Sequence, residues 1–453
     1  MSRASSASLH PGVPGDSGVS GTPDIPEFRF SRMESLLRGR ALRPLTVDGV
    51  DAVFVRDPVL VRDILVGESK NYGKGELFRK ARNLSRVGML SEDETMHRHY
   101  RRLANPYVRS AKVEEYVPDM HGIAHRFVSS WRDGETVDIQ SEMCRITCAI
   151  VVGTIITGLP PGTTDTVSER LSRLAWEMIR KPLYGKAAAR AARPGAAKRL
   201  SRARAELRDI LDVCIADLLN SPGTTAGYLS ELLADSDGQG NRLLTAEQVC
   251  EEAVMMLTAA TVTTASVMSW ALYALSENPS MEEPLRKELA RGGGGFDAQE
   301  QEQEREQEPG QGSSGYTRRF LMEVLRLYPP VWISCRKALT DVMLGDHPLP
   351  AGTNVVFSSY LLHRDPERYP DPGRFDPDRW LSLRPGQADA SYIPFGIGSK
   401  GCVGEPFAWR QLEVILDVVT REWTLNTGPG HRVRTAPETT LHPRRLLMTP
   451  RPR

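Results

Sequence analysis

Apolar and polar residues alternate from Leu45 to Phe54, through VDGV and AVFV, at the period of two that turns successive side chains to opposite faces of a sheet. This spacing predicts a β-hairpin, and Asp57-Pro58 followed by VLVRDIL predicts a short helix behind it. Residues 70–91 have no period and carry Gly73, Gly75 and Gly88, so they read as a loop. Helical patterning returns at His97–Arg102 and runs with short breaks from residue 140 to residue 235. A capping box, Thr245-Ala246-Glu247-Gln248, opens a central helix that Asn278-Pro279 closes. Its roughly 30 residues correspond to about 45 Å. No charged residue occurs from Ala253 to Met268, as expected of a helix buried on every side. A further helix, Arg318 to Leu327, stops at Tyr328-Pro329-Pro330, and Val331–Cys335 then reads as a strand.

The rest of the chain is punctuation of a different kind. The first 25 residues are rich in Ser, Gly and Pro and hold no apolar run, so they read as a disordered tail rather than a membrane anchor or secretory signal. Residues 292–315, GGGGFDAQEQEQEREQEPGQGSSG, are of low complexity and read as a flexible tether inserted between two helices. Between Arg180 and Arg208 the chain is basic and Ala-rich, interrupted by Pro182 and Pro194. Without interleaved aromatics this reads as a solvated helix face rather than a nucleic-acid surface.

With 453 residues, two domains are the default expectation from length. A formal charge of +1 gives no bulk attraction to nucleic acid or membrane, and 40% apolar with 25% charged residues is ordinary for a globular protein. The six cysteines, Cys144, Cys148, Cys214, Cys250, Cys335 and Cys402, are few for this length and point to a reducing cytosol. Cys144 and Cys148 are one helical turn apart, but no second pair follows at zinc spacing.

Candidate chemistry gathers around Cys402. It lies in Phe395-Gly396-Ile397-Gly398-Ser399-Lys400-Gly401-Cys402-Val403-Gly404, where four glycines allow a tight turn with peptide N–H groups aimed at the sulfur. A thiolate ligand to a metal is one reading, and an ordinary buried cysteine is the other. His97 and Arg101 share a helix face four residues apart; taken alone, such a basic face is far more often merely solvated. Glu323 and Arg326 pair on a helix among Leu321, Met322, Val324, Leu325 and Leu327, a setting in which both charges need a further partner. On the central helix the run Ala259-Ala260-Thr261-Val262-Thr263-Thr264 is dense in hydroxyls, each of which could simply bond its own i−4 carbonyl.

Together these motifs resemble the cytochrome P450 family, from about residue 40 to the C-terminus. The cysteine run is similar to Phe-Gly-x-Gly-x-Arg-x-Cys-x-Gly, with Lys400 where arginine or histidine is usual. Phe375-Asp376-Pro377-Asp378-Arg379-Trp380 is similar to the Phe-x-Pro-x-Arg-Trp segment that completes a Glu-Arg-Arg network, here Glu323, Arg326 and Arg379. The resemblance implies a mainly α fold with small β-sheets, residues 26–453 forming one haem domain, and Cys402 as proximal ligand of haem b. Phe395, Gly396, Lys400 and Gly404 would shape the haem contact, while His97, Arg101 and Arg336 would hold its propionates. Thr263, with Thr264, would help deliver protons for O–O cleavage, although Ala260 replaces a glycine and Val262 replaces the usual acid. Trp176, Met255, Met256, Ala259, Ala260, Val331, Trp332 and Ile333 would line an apolar substrate pocket.

The implied activity is a cytoplasmic, monomeric monooxygenase that hydroxylates a largely apolar small molecule, with terpenoids of actinobacterial secondary metabolism as the first expectation. Electrons would come from NAD(P)H through a ferredoxin and its reductase, docking near Lys400, Arg410 and Arg421. No nucleic acid or membrane partner is expected. Oxidative coupling without oxygen insertion, an electron-independent haem isomerase or dehydratase, and a non-catalytic haem sensor or electron carrier remain as alternatives.

Overall fold

The structure, a computed structural model, describes residues 41–47, 49–75, 89, 94–157, 159, 162–181, 195–220, 227–237, 239–290, 315–383, 390–428 and 433–453. The expected N-terminal tail, most of the loop at 70–91, residues 182–194 of the basic segment and the 292–315 insertion, Gly315 excepted, lie outside these residues.

The alternating stretch forms the predicted hairpin, β1 (Leu42–Val47) antiparallel to β2 (Val50–Val55). Within a five-stranded sheet, β2 runs parallel to β5 (Asn354–Phe357), which pairs antiparallel with β4 (Ser334–Ala338), and β4 pairs with β3 (Tyr72–Gly73) at the edge. The strand after Pro329-Pro330 therefore starts at Ser334 rather than at Val331. The Trp332 carbonyl accepts from the Tyr360 N–H and the Ser358 hydroxyl, and the Pro330 carbonyl accepts from the Leu441 N–H, so these groups are taken by loop contacts before a ladder begins.

Apart from three smaller sheets of two or three strands, helices make up most of the remaining described architecture. They are α1 (Pro58–Arg62), α2 (Glu94–Val108), α3 (Ser110–Val128), α4 (Ile139–Ile155), α5 (Thr163–Ile179), α6 (Ala196–Asn220) and α7 (Tyr228–Ala234). The central helix α8 (Ala246–Glu277) follows, then α9 (Glu282–Ala290), α10 (Tyr316–Leu327), α11 (Ser359–Leu362) and α12 (Glu405–Glu422). The capping box is formed: Thr245 Oγ1 accepts from the Gln248 N–H, and the Gln248 side chain accepts from the Thr245 N–H. At 32 residues α8 is the axis of the main apolar core, packed against α4, α5, α6, α10 and α12. Among the described residues it is the one helix long and apolar enough to cross a membrane, and its apolar surface is spent inside the fold.

The basic segment is paired rather than simply solvated. Arg199 bonds Glu177 at 3.0 Å, Arg202 bonds Glu206 at 2.8 Å, and Arg204 and Arg208 both grip Glu251 on α8. The Arg199 pair ties α6 to α5 and the Glu251 pairs tie it to the central helix, while Arg202–Glu206 lies within α6.

Candidate active site

The cysteine loop is built by its glycines against the N-terminal part of the fold. Gly396 and Gly398 have φ of +70° and +74°, values that L side chains avoid. A Cβ on Gly398 would lie 2.4 Å from the Leu65 carbonyl oxygen, so the loop can approach the turn after α1 only without a side chain there. Inside the loop the Cys402 N–H donates to the Phe395 carbonyl at 2.8 Å and the Gly401 N–H to Gly398 at 3.0 Å, so these two are not aimed at the sulfur. A second device replaces them. A Cβ on Gly404 would stand 4.0 Å from the Cys402 sulfur, and Gly404 is the N-cap of α12, so the thiol sits at a helix N-terminus, where the dipole favours a thiolate. Cys402 is exposed, whereas the other five cysteines are buried. Phe395 lies against Trp409 of α12, with centroids 5.4 Å apart, and the Arg318 guanidinium caps the other ring at 3.2 Å from its centroid.

Lys400 was expected to contact haem, but it is mainly a brace. Its ammonium donates to the Tyr72 carbonyl at 2.7 Å and pairs with Glu94 at 2.7 Å. It thereby joins the loop to β3 and to the start of α2, using two of its three donors. Arg410 is likewise occupied, by Glu114 at 2.5 Å and Glu413 at 3.1 Å, and Arg421 pairs with Asp417 at 2.6 Å. The cations expected to attract an acidic redox partner are thus largely neutralised within the chain.

The α2 wall carries His97 and Arg101. Arg101 reaches the cysteine loop directly, donating to the Gly401 carbonyl at 2.6 Å. His97 is buried; its Nδ1 is 2.6 Å from the Met89 carbonyl, and among the described residues its Nε2 is buried with no hydrogen-bond partner. Burial lowers its pKa, so the ring is neutral at pH 7. Arg336 stands on β4, where it donates to the Cys335 carbonyl at 2.8 Å with its guanidinium 6.0 Å over the Phe357 ring.

Within the uncharged stretch of α8, burial is broken at Ala259, Ala260 and Thr263, which share one face. This window is where the helix is open to a ligand. Thr263 donates to the Ala259 carbonyl at 2.9 Å, which leaves its oxygen as an acceptor towards the window. Thr264 and Thr261 do not share the window. Both are buried, bonded to Ala260 at 3.1 Å and Leu257 at 2.8 Å, because each successive residue is turned about 100° around the helix. Thr264, expected to share the proton-delivering role, is thus placed away from the window in this structure.

The expected pocket also divides. Trp176, with the Arg180 guanidinium 4.7 Å over its ring, and Val331 are half-buried, as the window residues are. Met255 and Met256 are sealed in the main core. Trp332 and Ile333 belong to a separate cluster with Leu45, Phe54 and Val356, and the Trp332 indole N–H is used by the Glu438 carbonyl at 3.0 Å. In this structure these four are buried in packing clusters, unlike the window residues.

The Glu323–Arg326–Arg379 group is assembled and buried. Arg326 grips Glu323 through two bonds of 2.8 and 2.9 Å, and Arg379 donates to the same carboxylate at 3.2 Å. The Asp376 N–H and the Trp380 indole add bonds of 2.9 and 3.1 Å, so the buried carboxylate is fully solvated by donors. Arg326 also holds the carbonyls of His363, Pro372 and Arg374. His363, not singled out in the sequence, accepts the Ile393 N–H at 2.8 Å and so links this network to the run entering the cysteine loop. Burial, then Arg326 and Arg364, hold its pKa down to about 3.

Two further polar residues had little local signal. Lys74 is buried and donates to the Met89 carbonyl at 3.0 Å, but in sequence it is one lysine in an irregular stretch. Glu252 is wholly buried on α8, and its position just before the uncharged run was the available clue.

An exposed thiol at a helix N-terminus, an unpaired buried imidazole nitrogen and an open window on a buried helix fit a large, thiolate-ligated, carboxylate-bearing cofactor, and haem has that chemistry. The chain belongs to the cytochrome P450 family, whose model matches residues 45–453. Among characterised relatives, cyclooctatin synthase of Streptomyces melanosporofaciens is 29% identical over 87% of this chain and 85% of its own. Cyclooctat-9-en-7-ol 5-monooxygenase of the same organism is 30% identical, covering 82% and 80%. Pentalenene oxygenase of Streptomyces avermitilis is 28% identical, covering 92% and 91%. In fold, a retinoic-acid-bound cyanobacterial P450 superposes with a TM-score of 0.76 at 20% identity over 94% of each chain. A six-coordinated P450 of Thermus thermophilus gives 0.69 at 23% identity, over 93% of this chain and 98% of that one. The protein is a cytochrome P450 monooxygenase, mainly α with small β-sheets.

Proposed function

We propose that this monooxygenase hydroxylates a largely apolar, terpenoid-like intermediate of secondary metabolism. The observation that carries the reading is the exposed Cys402 thiol at the N-terminus of α12, the one cysteine of six placed to ligate a metal. When bound there, haem supplies reductive activation of dioxygen on a thiolate-ligated iron. This chain's residues do the rest. Cys402 ligates; His97, Arg101 and Arg336 hold the cofactor's carboxylates; Gly396 and Gly404 let the loop close; Phe395 shields the sulfur side. Thr263 holds a proton-accepting hydroxyl on the window, and Ala259, Ala260, Val331 and Trp176 present apolar surface to the substrate. The terpene-oxidising activity of the relatives supports the substrate class. The enzyme works as a cytoplasmic monomer, drawing electrons from NAD(P)H through a ferredoxin and its reductase.

The test is an optical titration of the resting ferric protein with terpene hydrocarbons, terpene alcohols, polyketide lactones and indole peptides. A low- to high-spin shift with a terpenoid, followed by a product one oxygen heavier in the reconstituted system, supports the proposal. A shift with another class only, or a product lighter by two hydrogens, replaces it, the latter with oxidative coupling.

A further inference from the structure

Around the Met89 peptide, three buried ionisable side chains meet: Lys74 just after β3, His97 of α2 and Glu252 of α8. The Met89 N–H donates to Glu252 Oε2 at 2.9 Å. Its carbonyl lies 2.6 Å from His97 Nδ1 and 3.0 Å from Lys74 Nζ. Glu252 Oε1 takes the Tyr228 hydroxyl at 3.0 Å, which ties α7 into the same group. A carbonyl can only accept, so the bond to Met89 places the His97 ring proton on Nδ1. Nε2 is then the bare nitrogen, and among the described residues this buried atom has no partner. Lys74 Nζ stands 3.3 Å from Nδ1, a contact between two donors that share one acceptor.

We propose that Glu252 is a positioning residue for the cofactor's carboxylate: it holds the Met89 peptide, and that peptide orients the His97 ring so that Nε2 is the nitrogen left to meet a propionate. The inference rests on the haem-carboxylate reading of His97. Glu252 lies eleven residues before Thr263 on the same face of α8, about 16 Å away along the axis, so it acts through the peptide and not on the substrate. Nε2 takes a proton as the carboxylate arrives, because a bare nitrogen and a carboxylate are both acceptors. Burial above all, then Lys74 and Arg101, oppose that proton, while the bond to the Met89 carbonyl and Glu94 favour it. Desolvation raises the Glu252 pKa to about 8, against the pull of the Met89 N–H, Tyr228 and Lys74, so the acid is mostly neutral at pH 7 and glutamine is its close mimic.

The experiment follows haem transfer from holoprotein to excess apomyoglobin for wild type, H97A, E252L, E252Q and H97A/E252L, with the starting haem content and thermal unfolding of each recorded. H97A and E252L each speed haem loss about tenfold, the scale of one hydrogen bond to a charged group. The double variant is no faster than either single one, because both remove the same contact. E252Q stays near wild type. Multiplying effects in the double variant, or an unchanged rate in folded E252L, overturns the role of Glu252 while leaving His97 in place. An unchanged rate in H97A overturns the haem-carboxylate reading itself. If E252L does not fold, E252A and H97A/E252A give the same comparison.

Discussion

At the scale of single residues, environment decides which of several similar side chains can act. Six hydroxyls on α8 bond back to their i−4 carbonyls: Thr258, Thr261, Thr263, Thr264, Ser266 and Ser269. Of the four threonines Thr263 alone is not buried, so it is the hydroxyl that can serve chemistry in the window. Val262 beside it is apolar and buried, which removes the neighbouring acid as a proton source. Thr263→Ala is expected to release more peroxide per electron consumed in the reconstituted enzyme. Unchanged coupling would reduce Thr263 to one more helix-bonded hydroxyl. The motif pointed to Thr263 together with Thr264, and periodicity alone could not separate the two, because the distinction is which side of a fully apolar helix is left uncovered.

At the scale of elements, the cysteine loop shows how a turn depends on a distant partner. Its glycine pattern was legible, and Gly396 and Gly398 do take positive φ. The need at Gly398 is sharper than a turn requires, because the Leu65 carbonyl occupies the place of a Cβ. Gly398→Ala combines left-handed strain with that clash, at a cost of roughly 1–3 kcal/mol for the strain alone. The variant should bind less haem and show a smaller share of the thiolate-type ferrous carbonyl spectrum. A wild-type spectrum and haem content would mean that the loop relaxes away from Leu65 without harm. Lys400 illustrates the converse. Its position in the motif suggested a cofactor contact, and only the packing of β3 and α2 against the loop shows it bracing Tyr72 and Glu94.

Across the whole molecule, the buried polar network behind the site ties the sheet side, α10 and the cysteine loop into one support. His363 is the joint between Arg326 and Ile393, and its protonation would cost the bond to the Ile393 N–H. Its folded pKa of about 3 lies below the ordinary 6.5, so the unfolded chain binds more protons between those values. The stability it contributes is whole above 6.5 and is lost as pH falls towards 3. Urea unfolding should therefore weaken with acidification in wild type more than in H363Q, by up to about 1.4 kcal/mol per pH unit. Equal losses in the two proteins between pH 7 and pH 5 would show that the ring titrates normally.

By itself, the sequence determined the long apolar helix with its capping box, the hairpin, the glycine turn around Cys402 and the pairing of Glu323 with Arg326, because each is encoded in residues a few positions apart. Tertiary structure decided what depends on contacts between distant segments. It sealed Trp332, Ile333, Met255 and Met256 in cores while opening Ala259, Ala260 and Thr263. It occupied Lys400 and Arg410 with carboxylates, and it brought Lys74, His97 and Glu252 to one peptide. Burial and charge pairing are sums over neighbours from the whole chain, and no local pattern carries them.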